Sequence, residues 1–177
     1  HDVRTWSTGL HPCQQFGENL ENEVSRMVED LKAKRYRAPK IRQKMIPKGD
    51  GKFRPLGIPT VGDKLVQKGA SKILEAIYEQ DFLSCSYGYR KGVQIHDAVQ
   101  ELDNAIAKEG YQWVLEADIR GFFEHLDHEW VRKMLRERIA DESLIQLISK
   151  WMKVGIVAEA GNEIHPEAGT PQGGIIS

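Results

Sequence analysis

The stretch LEADIRGFFEHLDH, residues 115–128, carries the side chains best suited to chemistry in this sequence. Asp118 follows the run YQWVLEA, which predicts a strand over residues 111–119, and Gly121 with two aromatic residues comes next. A carboxylate in this position suits a Mg²⁺ ion that bridges phosphate oxygens during phosphoryl transfer. The same residue also fits a simple turn cap, and the spacing alone does not separate the two interpretations.

The segment IPKGDGKFRPLGIPT, residues 46–60, places Lys48 and Arg54 on either side of an Asp-Gly turn. Asp-Gly between two extended runs predicts a β-hairpin, which can hold both cations on one side. Arg supplies a planar fork of donors and Lys a point charge, so the pair suits a triphosphate. Two solvated hairpin charges are the alternative interpretation.

A glycine-rich segment, GTPQGG at residues 169–174, is the third candidate. Its glycines allow the backbone to approach a ligand closely. Gln172 can both donate and accept hydrogen bonds. Any surface loop can have this composition, so the segment indicates little by itself.

The charge is distributed unevenly along the chain, although the formal net charge is only −1. From Lys32 to Arg54 there are ten Lys or Arg residues and one acid, Asp50. A basic stretch on a nearly neutral chain points to a local polyanion contact, with a solvated face as the alternative. Aromatic and aliphatic residues interleave with these charges, which favours ordered structure over a basic tail.

Other features of the composition exclude several classes of protein. No apolar run approaches the roughly 20 residues of a membrane span, and the first residues lack a signal-peptide core. Cys13 and Cys85 stand far apart in sequence, which predicts two reduced, partly buried thiols rather than a zinc or disulfide framework. The sequence begins with His1 rather than Met, so we expect a piece of a longer protein.

Hydrophobic periodicity and turn residues predict a mixed α/β fold. Gly110 stands where a helix C-cap is expected, and Asp141 where a helical stretch breaks. We expect helices over residues 16–34, 62–83, 94–108 and 127–154, and a short hairpin over 155–165. Trp113, Trp130 and Trp151 are predicted to lie in or near the core. His125 and His128 are predicted to have surface or capping roles rather than to form a metal pair.

Taken together and in this order, the segments resemble the reverse transcriptase family, in its bacterial group II intron-encoded (retron-type) branch. The similarity runs over about residues 36–177 and rests on four ordered motifs: KMIPKGDGKFRPLGIPTVGDKLVQ, SYGYRKG, LEADIRGFFEHLDH and GTPQGGIIS. The sequence lacks the family's Tyr-Ala-Asp-Asp segment, which holds two further metal-binding aspartates. It also lacks thumb and maturase regions.

The resemblance implies an α/β (α+β) fold, namely a truncated right-hand polymerase with fingers and the first part of a palm. It divides the chain into an N-terminal, mainly helical extension (1–35), fingers with the basic hairpin (36–92), the start of the palm with the first catalytic aspartate (93–130), and a second fingers segment that leads back to the palm (131–177).

The resemblance also implies the roles of individual residues. Asp118 would be the catalytic carboxylate that holds two Mg²⁺ ions, helped by the carbonyl of Ile119. The other implied contacts are these: Lys48 and Arg54 with the triphosphate, the amides of Gly121 and Phe122 with the triphosphate, Phe123 under the sugar as the gate against a 2′-hydroxyl, Gln172 near the sugar, Leu56, Gly57, Pro171 and Gly173 around the templating base, and Arg90 and Lys91 on the RNA backbone.

The implied function is RNA-directed DNA synthesis, a nucleotidyl transfer, with the 177 residues inactive on their own. The implied partners are an RNA template (intron RNA), a DNA primer and a dNTP, without a membrane and with a dimer conceivable. The expected location is the bacterial cytoplasm, in a ribonucleoprotein with intron RNA. A splicing cofactor (maturase) that binds intron RNA without polymerising is the first alternative, and an inactive remnant is the second.

Overall fold

The computed structural model describes residues 12–49, 51–165 and 168–170, and among these it leaves the side chains of Pro12 and Lys48 undescribed. The described part is a mixed α/β chain, as the sequence predicted. Its elements are α1 (Pro12–Glu18), α2 (Leu20–Lys32), β1 (Ile41–Lys48), β2 (Lys52–Ile58), α3 (Val61–Tyr78), α4 (Ile95–Ala107), α5 (His128–Arg136), α6 (Glu142–Met152), β3 (Ile156–Val157) and β4 (Glu163–Ile164).

The chain forms two compact units, with the division inside α3. The first unit takes in residues up to Ser71 and from Gly121 onward, and the second is Lys72–Arg120. The first unit contains all four strands together with α1, α2, α5 and α6. The second contains the end of α3 and all of α4.

The four strands form one sheet in the order β2-β1-β3-β4. β1 and β2 pair antiparallel around Gly49 and Gly51, so the predicted hairpin is confirmed. β3 pairs parallel with β1, and the amide of Ile41 donates to the carbonyl of Gly155 at 3.0 Å. β3 and β4 pair antiparallel, which confirms the predicted short hairpin. Pro55 lies in β2, which is an edge strand of the sheet. Proline has no N–H to donate to a neighbouring strand, and within sheets it is largely confined to such edge strands.

The core of the first unit is centred on α6, whose apolar residues recur at helical spacing. Its buried side chains are Ile145, Ile148, Trp151 and Met152. Asp141 begins the helix as its N-cap and accepts a hydrogen bond from the amide of Ser143 at 2.8 Å. The predicted helix break near Asp141 is therefore confirmed, because a short polar side chain there satisfies a free helical N–H.

A carboxylate within this core is held by three neutral donors. Asp63 of α3 is 2% exposed and accepts from Tyr36 Oη at 2.6 Å, Trp151 Nε1 at 2.9 Å and Gln67 Nε2 at 2.8 Å. The cluster joins the segment after α2, α3 and α6. Burial, and then the hydrogen bond to Asp63, raises the pKa of Tyr36 far above its usual range.

The predicted strand over residues 111–119 is wrong: the segment has no regular structure and every residue in it is exposed. A strand needs a neighbour for its N–H and C=O groups, and no described strand pairs with this segment. The expected core positions of two tryptophans are wrong as well, since Trp113 is 92% exposed and Trp130 59%. Trp151, at 3%, does lie in the core.

Smaller differences concern helix bounds and thiols. The predicted helix over 16–34 is two helices that meet at Asn19, and the helix predicted over 62–83 ends at Tyr78. α4 confirms the helix predicted over 94–108, and Gly110 has the positive φ (+74°) expected after a helix end. The side chains of Cys13 and Cys85 are exposed, not partly buried. None of the described helices combines the length and apolarity needed to cross a membrane.

Candidate nucleotide and nucleic-acid site

A tight turn follows Asp118 and begins at Gly121. The amides of Glu124 and His125 both donate to the carbonyl of Gly121 at 3.1 Å, and His125 Nδ1 lies 2.8 Å from the same oxygen. Gly121 has φ +64°, and a Cβ there would come within 2.9 Å of His125 Nδ1. The positive φ favours glycine at this position, and a Cβ there would also require the exposed His125 ring to move.

The turn carries the two aromatic residues that follow Gly121. The rings of Phe122 and Phe123 meet edge to face, with their centroids 5.4 Å apart and their planes at 76°. Phe122 is 47% exposed and Phe123 is half-buried. Both rings retain exposed surface, so the assignment of the sugar gate to Phe123 stays a prediction.

The structure brings the start of the GTPQGG segment onto this turn. The amide of Gly169 donates to the carbonyl of Leu126 at 2.9 Å, and that of Thr170 to the carbonyl of Phe123 at 2.8 Å. His128 Nε2 lies 2.6 Å from the carbonyl oxygen of Gly169. Two motifs more than 40 residues apart are thus held together by backbone and side-chain bonds. The predicted site residues Pro171, Gln172 and Gly173 lie outside the described residues.

Sequence reasoning missed the part that His128 plays in this contact. His128 is 6% exposed, so the predicted surface role is wrong, while His125 is exposed as expected. The available signal was weak: a histidine at the first position of α5, after the N-cap Asp127, whose carboxylate accepts from the amides of Glu129 and Trp130. Its partner, Gly169, is too distant in sequence for any local pattern to indicate it.

Asp118 and Ile119 both lie in the exposed extended segment before the turn. Within residues 12–49, 51–165 and 168–170, no group of three His, Cys, Asp or Glu side chains is placed to hold a metal ion. Mg²⁺ is often held by one or two carboxylates together with waters and substrate phosphates. The exposed carboxylate of Asp118 fits one such ligand position, and the described residues do not complete the set.

The strand register gives the hairpin a basic face. Arg42 pairs with Ile58, Lys44 with Leu56, Ile46 with Arg54 and position 48 with Lys52. Cross-strand partners share a face and alternate positions along a strand do as well, so all these positions lie on one face of the ribbon. The basic face comprises positions 42, 44, 48, 52 and 54. Positions 48 and 54 therefore share a face, as the sequence predicted.

The opposite face of the hairpin is uncharged. It carries Gln43, Met45 and Pro47 from β1 and Phe53, Pro55 and Gly57 from β2. Of the two residues predicted near the templating base, Leu56 is half-buried on the basic face and Gly57 is buried on the other. Their contact with a template stays a prediction.

Outside the hairpin, Lys40 and Arg90 each bind an acidic side chain of this chain. Lys40 Nζ lies 2.5 Å from Glu163 Oε1, and this bond lowers the pKa of Glu163. Arg90 donates to Glu79 Oε1 at 2.6 Å and to the carbonyls of Ser86 and Leu83 at 2.7 and 3.1 Å. Arg90 also lies over the Phe82 ring, which together with these bonds fixes the loop that follows α3. Lys91 is exposed, and an RNA contact of either residue stays a prediction.

The turn at Gly121 is bonded to the start of the glycine segment, and the hairpin carries a face of five cationic positions. The reverse transcriptase (RNA-dependent DNA polymerase) family matches residues 46–177. The chain belongs to this family. Its match includes the hairpin from Ile46 onward, Asp118, the turn at Gly121 and the GTPQGG segment.

Curated relatives include group II intron proteins. Group II intron-encoded protein LtrA of Lactococcus lactis subsp. cremoris is 36% identical over 158 residues, which is 89% of this chain and 26% of LtrA. Protein YkfC of Escherichia coli (strain K12) is 34% identical over 161 residues, 89% of this chain and 42% of YkfC. The chain thus spans about a quarter of LtrA and less than half of YkfC.

Among solved structures, one chain of a Cas6-RT-Cas1–Cas2 complex is similar, with a TM-score of 0.57 and 29% sequence identity. The match covers 92% of this chain and 17% of that chain. The fold expected from the sequence, a piece of the reverse transcriptase fold, is therefore confirmed.

Proposed function

We propose that the protein to which this chain belongs is an RNA-directed DNA polymerase. In this reaction the 3′-hydroxyl of a primer attacks the α-phosphate of a dNTP, and pyrophosphate leaves. The observation that carries the proposal is the docking of Gly169 and Thr170 on the turn that follows Asp118. Two segments that the family resemblance assigns to one site are bonded to each other in this chain.

The proposed roles follow the sequence expectations. Asp118 and the carbonyl of Ile119 would hold Mg²⁺, which when bound neutralises charge on the phosphates. Lys48 and Arg54 would bind the triphosphate from the basic face of the hairpin, where charge-assisted bonds to phosphate are strong. The amides of Gly121 and Phe122 would face the triphosphate, with Phe123 and Gln172 near the sugar. Leu56, Gly57, Pro171 and Gly173 would border the templating base.

The proposed partners are an RNA template, a DNA primer and a dNTP. An A-form duplex is bound mainly through phosphates and 2′-hydroxyls, which suits a face of five cationic positions on one ribbon. We propose a ribonucleoprotein with intron RNA in the bacterial cytoplasm, supported by the two bacterial relatives. The proposed regions are an N-terminal extension (1–35), fingers (36–92 and 131–177) and the start of the palm (93–130).

A splicing cofactor that binds intron RNA without polymerising is the second candidate. The basic face of the hairpin favours it, because RNA binding needs those cations and does not need Asp118. Nuclear intron maturase 1 of Arabidopsis thaliana is 28% identical over 95 residues, 54% of this chain and 13% of that protein. The two candidates therefore differ in whether they need the carboxylate of Asp118.

Primer extension on an RNA template by the full-length protein tests the proposal. Asp118→Ala is expected to lower extension more than about 100-fold, beyond the 10- to 100-fold typical of residues that only support metal ligands. RNA binding should be unchanged. Asp103→Ala, at an exposed acid on α4, is the matched control and should keep full activity.

Two results would decide against parts of the proposal, the first against the role of Asp118 and the second against the polymerase. Extension that is equal in the wild type and in Asp118→Ala would remove Asp118 from the chemistry. Splicing support that survives Asp118→Ala, in a protein that never extends primers, would establish the splicing cofactor instead.

A further inference from the structure

The buried imidazole of His128 makes a long-range hydrogen bond to the carbonyl of Gly169. This bond joins the start of α5 to the described part of the GTPQGG segment. A carbonyl oxygen only accepts hydrogen bonds, so Nε2 carries the proton and donates to Gly169. The distance between Nε2 and the oxygen is 2.6 Å and the residue is 6% exposed, so water does not compete for this bond.

The carbonyl that accepts the hydrogen bond from His128 belongs to Gly169, whose conformation and position are constrained by several contacts. Gly169 has φ +80°, and a Cβ there would come within 2.6 Å of the backbone oxygens of Phe123 and Glu124. Its own amide and that of Thr170 donate to Leu126 and Phe123. Three hydrogen bonds within two residues therefore fix Gly169 and Thr170 against the turn that begins at Gly121.

We propose that His128 is a positioning residue for the incoming nucleotide. Through Gly169 and Thr170 it fixes the backbone of Phe123, whose carbonyl accepts from the Thr170 amide at 2.8 Å. A shift of the Phe123 backbone would move the ring that the proposed function places under the sugar. His128 itself does not touch substrate, because its ring is buried and its Nε2 donates to the protein. The inference rests on the proposed function, in which Phe123 lies under the sugar.

A purely structural role makes a different prediction from a positioning role. Gln carries an Nε2 donor at a similar distance from the backbone, whereas Leu fills a similar volume and cannot donate. If the bond to Gly169 matters, His128→Gln should behave as the wild type does and His128→Leu should not. If only packing matters, the Gln variant should be the worse of the two, because it buries a polar group in an apolar setting.

Amide hydrogen exchange in the 177-residue chain tests the anchor without any activity. In His128→Leu, exchange of the Gly169 and Thr170 amides should rise about tenfold, the loss expected for one net hydrogen bond. His128→Gln should stay near the wild type, and His96→Leu, at an exposed histidine on α4, should change nothing there. Unchanged protection of both amides in His128→Leu would overturn the anchor.

Steady-state kinetics of the full-length protein test the consequence for the nucleotide. His128→Leu should raise the KM for dNTP about tenfold and change kcat less than about threefold, with His128→Gln restoring the wild-type KM. Gly169→Ala provides a second variant with His128 intact, and it should raise the same KM because its Cβ displaces the segment from the turn.

Other kinetic results would overturn the positioning role. One is an unchanged KM in both His128→Leu and Gly169→Ala. Another is an equal loss of kcat in the Leu and Gln variants that follows a fall in Tm. A wild type that extends no primer overturns the proposed function and the nucleotide role together, while hydrogen exchange still decides whether His128 anchors Gly169.

Discussion

The proposed gate against a 2′-hydroxyl involves one of two neighbouring phenylalanines, Phe122 and Phe123. The sequence places both after Gly121 and cannot separate them, because neighbours on a turn can point in different directions. The structure separates them by burial, with Phe122 half-exposed and Phe123 partly covered, and it bonds the Phe123 carbonyl to Thr170. That bond ties the Phe123 backbone to the GTPQGG segment, which supports Phe123 as the residue beside the nucleotide sugar.

In the full-length protein, Phe123→Ala is expected to admit ribonucleotides, since the ring would reject a 2′-hydroxyl by steric clash. The ratio of kcat/KM for dNTP to that for rNTP should fall at least about tenfold, which corresponds to about 1.4 kcal/mol of lost discrimination. Phe122→Ala is the matched control and should keep the ratio. If the Ala substitution at Phe122 lost discrimination and that at Phe123 kept it, Phe122 would be the gate.

Tyr36 gives the fold a measurable dependence on high pH. Its pKa is raised in the folded chain, so the folded chain keeps the phenolic proton at a pH where the unfolded chain releases it. This stability is fully present below about pH 10, the ordinary tyrosine pKa, and is lost as the pH rises above that value.

Tyr36→Phe should therefore flatten the loss of stability above about pH 10. At neutral pH the same change should cost about 1–3 kcal/mol, because Asp63 loses one of its three donors in the core. Urea unfolding on both sides of pH 10 measures both effects. Tyr111→Phe, at an exposed tyrosine, is the control and should leave the wild-type pH dependence intact. An alkaline slope equal in Tyr36→Phe and the wild type would contradict the assignment.

At the scale of elements, local signals in the sequence were enough for some parts of the fold and not for others. The Asp-Gly turn between extended runs predicted the β1–β2 hairpin, and the helical stretch over 127–154 with a break near Asp141 predicted α5 and α6. Each of these elements is specified by residues close together in sequence. The strand predicted over 111–119 depends on a neighbour that its own residues do not encode, and it is absent.

The same distinction holds for the candidate site. Asp118, Gly121 and the aromatic pair could be picked out from residue types, and the hairpin register places positions 48 and 54 on one face as predicted. The bond from His128 to Gly169 spans 41 residues and could not be read from either segment. A long-range contact of this kind depends on how α5 packs against the later segment, which no local pattern records.

The basic face of the hairpin should bind structured RNA with strong salt dependence. Each phosphate that a protein cation neutralises on a duplex adds roughly −0.9 to the slope of log K against log salt concentration. Lys44→Gln, Lys52→Gln and Arg54→Gln should each weaken binding and reduce the magnitude of that slope by about 1. Titrations of a structured RNA at several salt concentrations measure both quantities.

A control on another element separates a specific face from general attraction. Lys108→Gln removes an exposed cation at the end of α4 and should leave the slope unchanged. Equal effects of Lys108→Gln and Arg54→Gln would mean that net charge, not the hairpin face, attracts the RNA. Binding indifferent to salt would contradict the phosphate contacts altogether.

At the scale of the whole molecule, the two compact units differ in how much they bury. The first contains the α6 core and the Asp63 cluster, whereas no residue of Lys72–Arg120 is buried. The apolar positions of α4 recur at helical spacing on one face and are all exposed: Ile95, Val99, Leu102 and Ile106. Burial of an apolar face supplies most of a helix's stability, so the second unit has little to stabilise it in this chain.

Hydrogen exchange should therefore report two levels of stability in the 177-residue chain. The amides of α4 should exchange at least about tenfold faster than those of α6, because a helix without buried contacts opens locally at little cost in free energy. In the full-length protein the α4 amides should become better protected if further residues cover the apolar face, while those of α6 should change less. Protection of α4 equal to that of α6 in the short chain would contradict the prediction and would mean that propensity and the Gln94–Asp97 capping box alone stabilise α4.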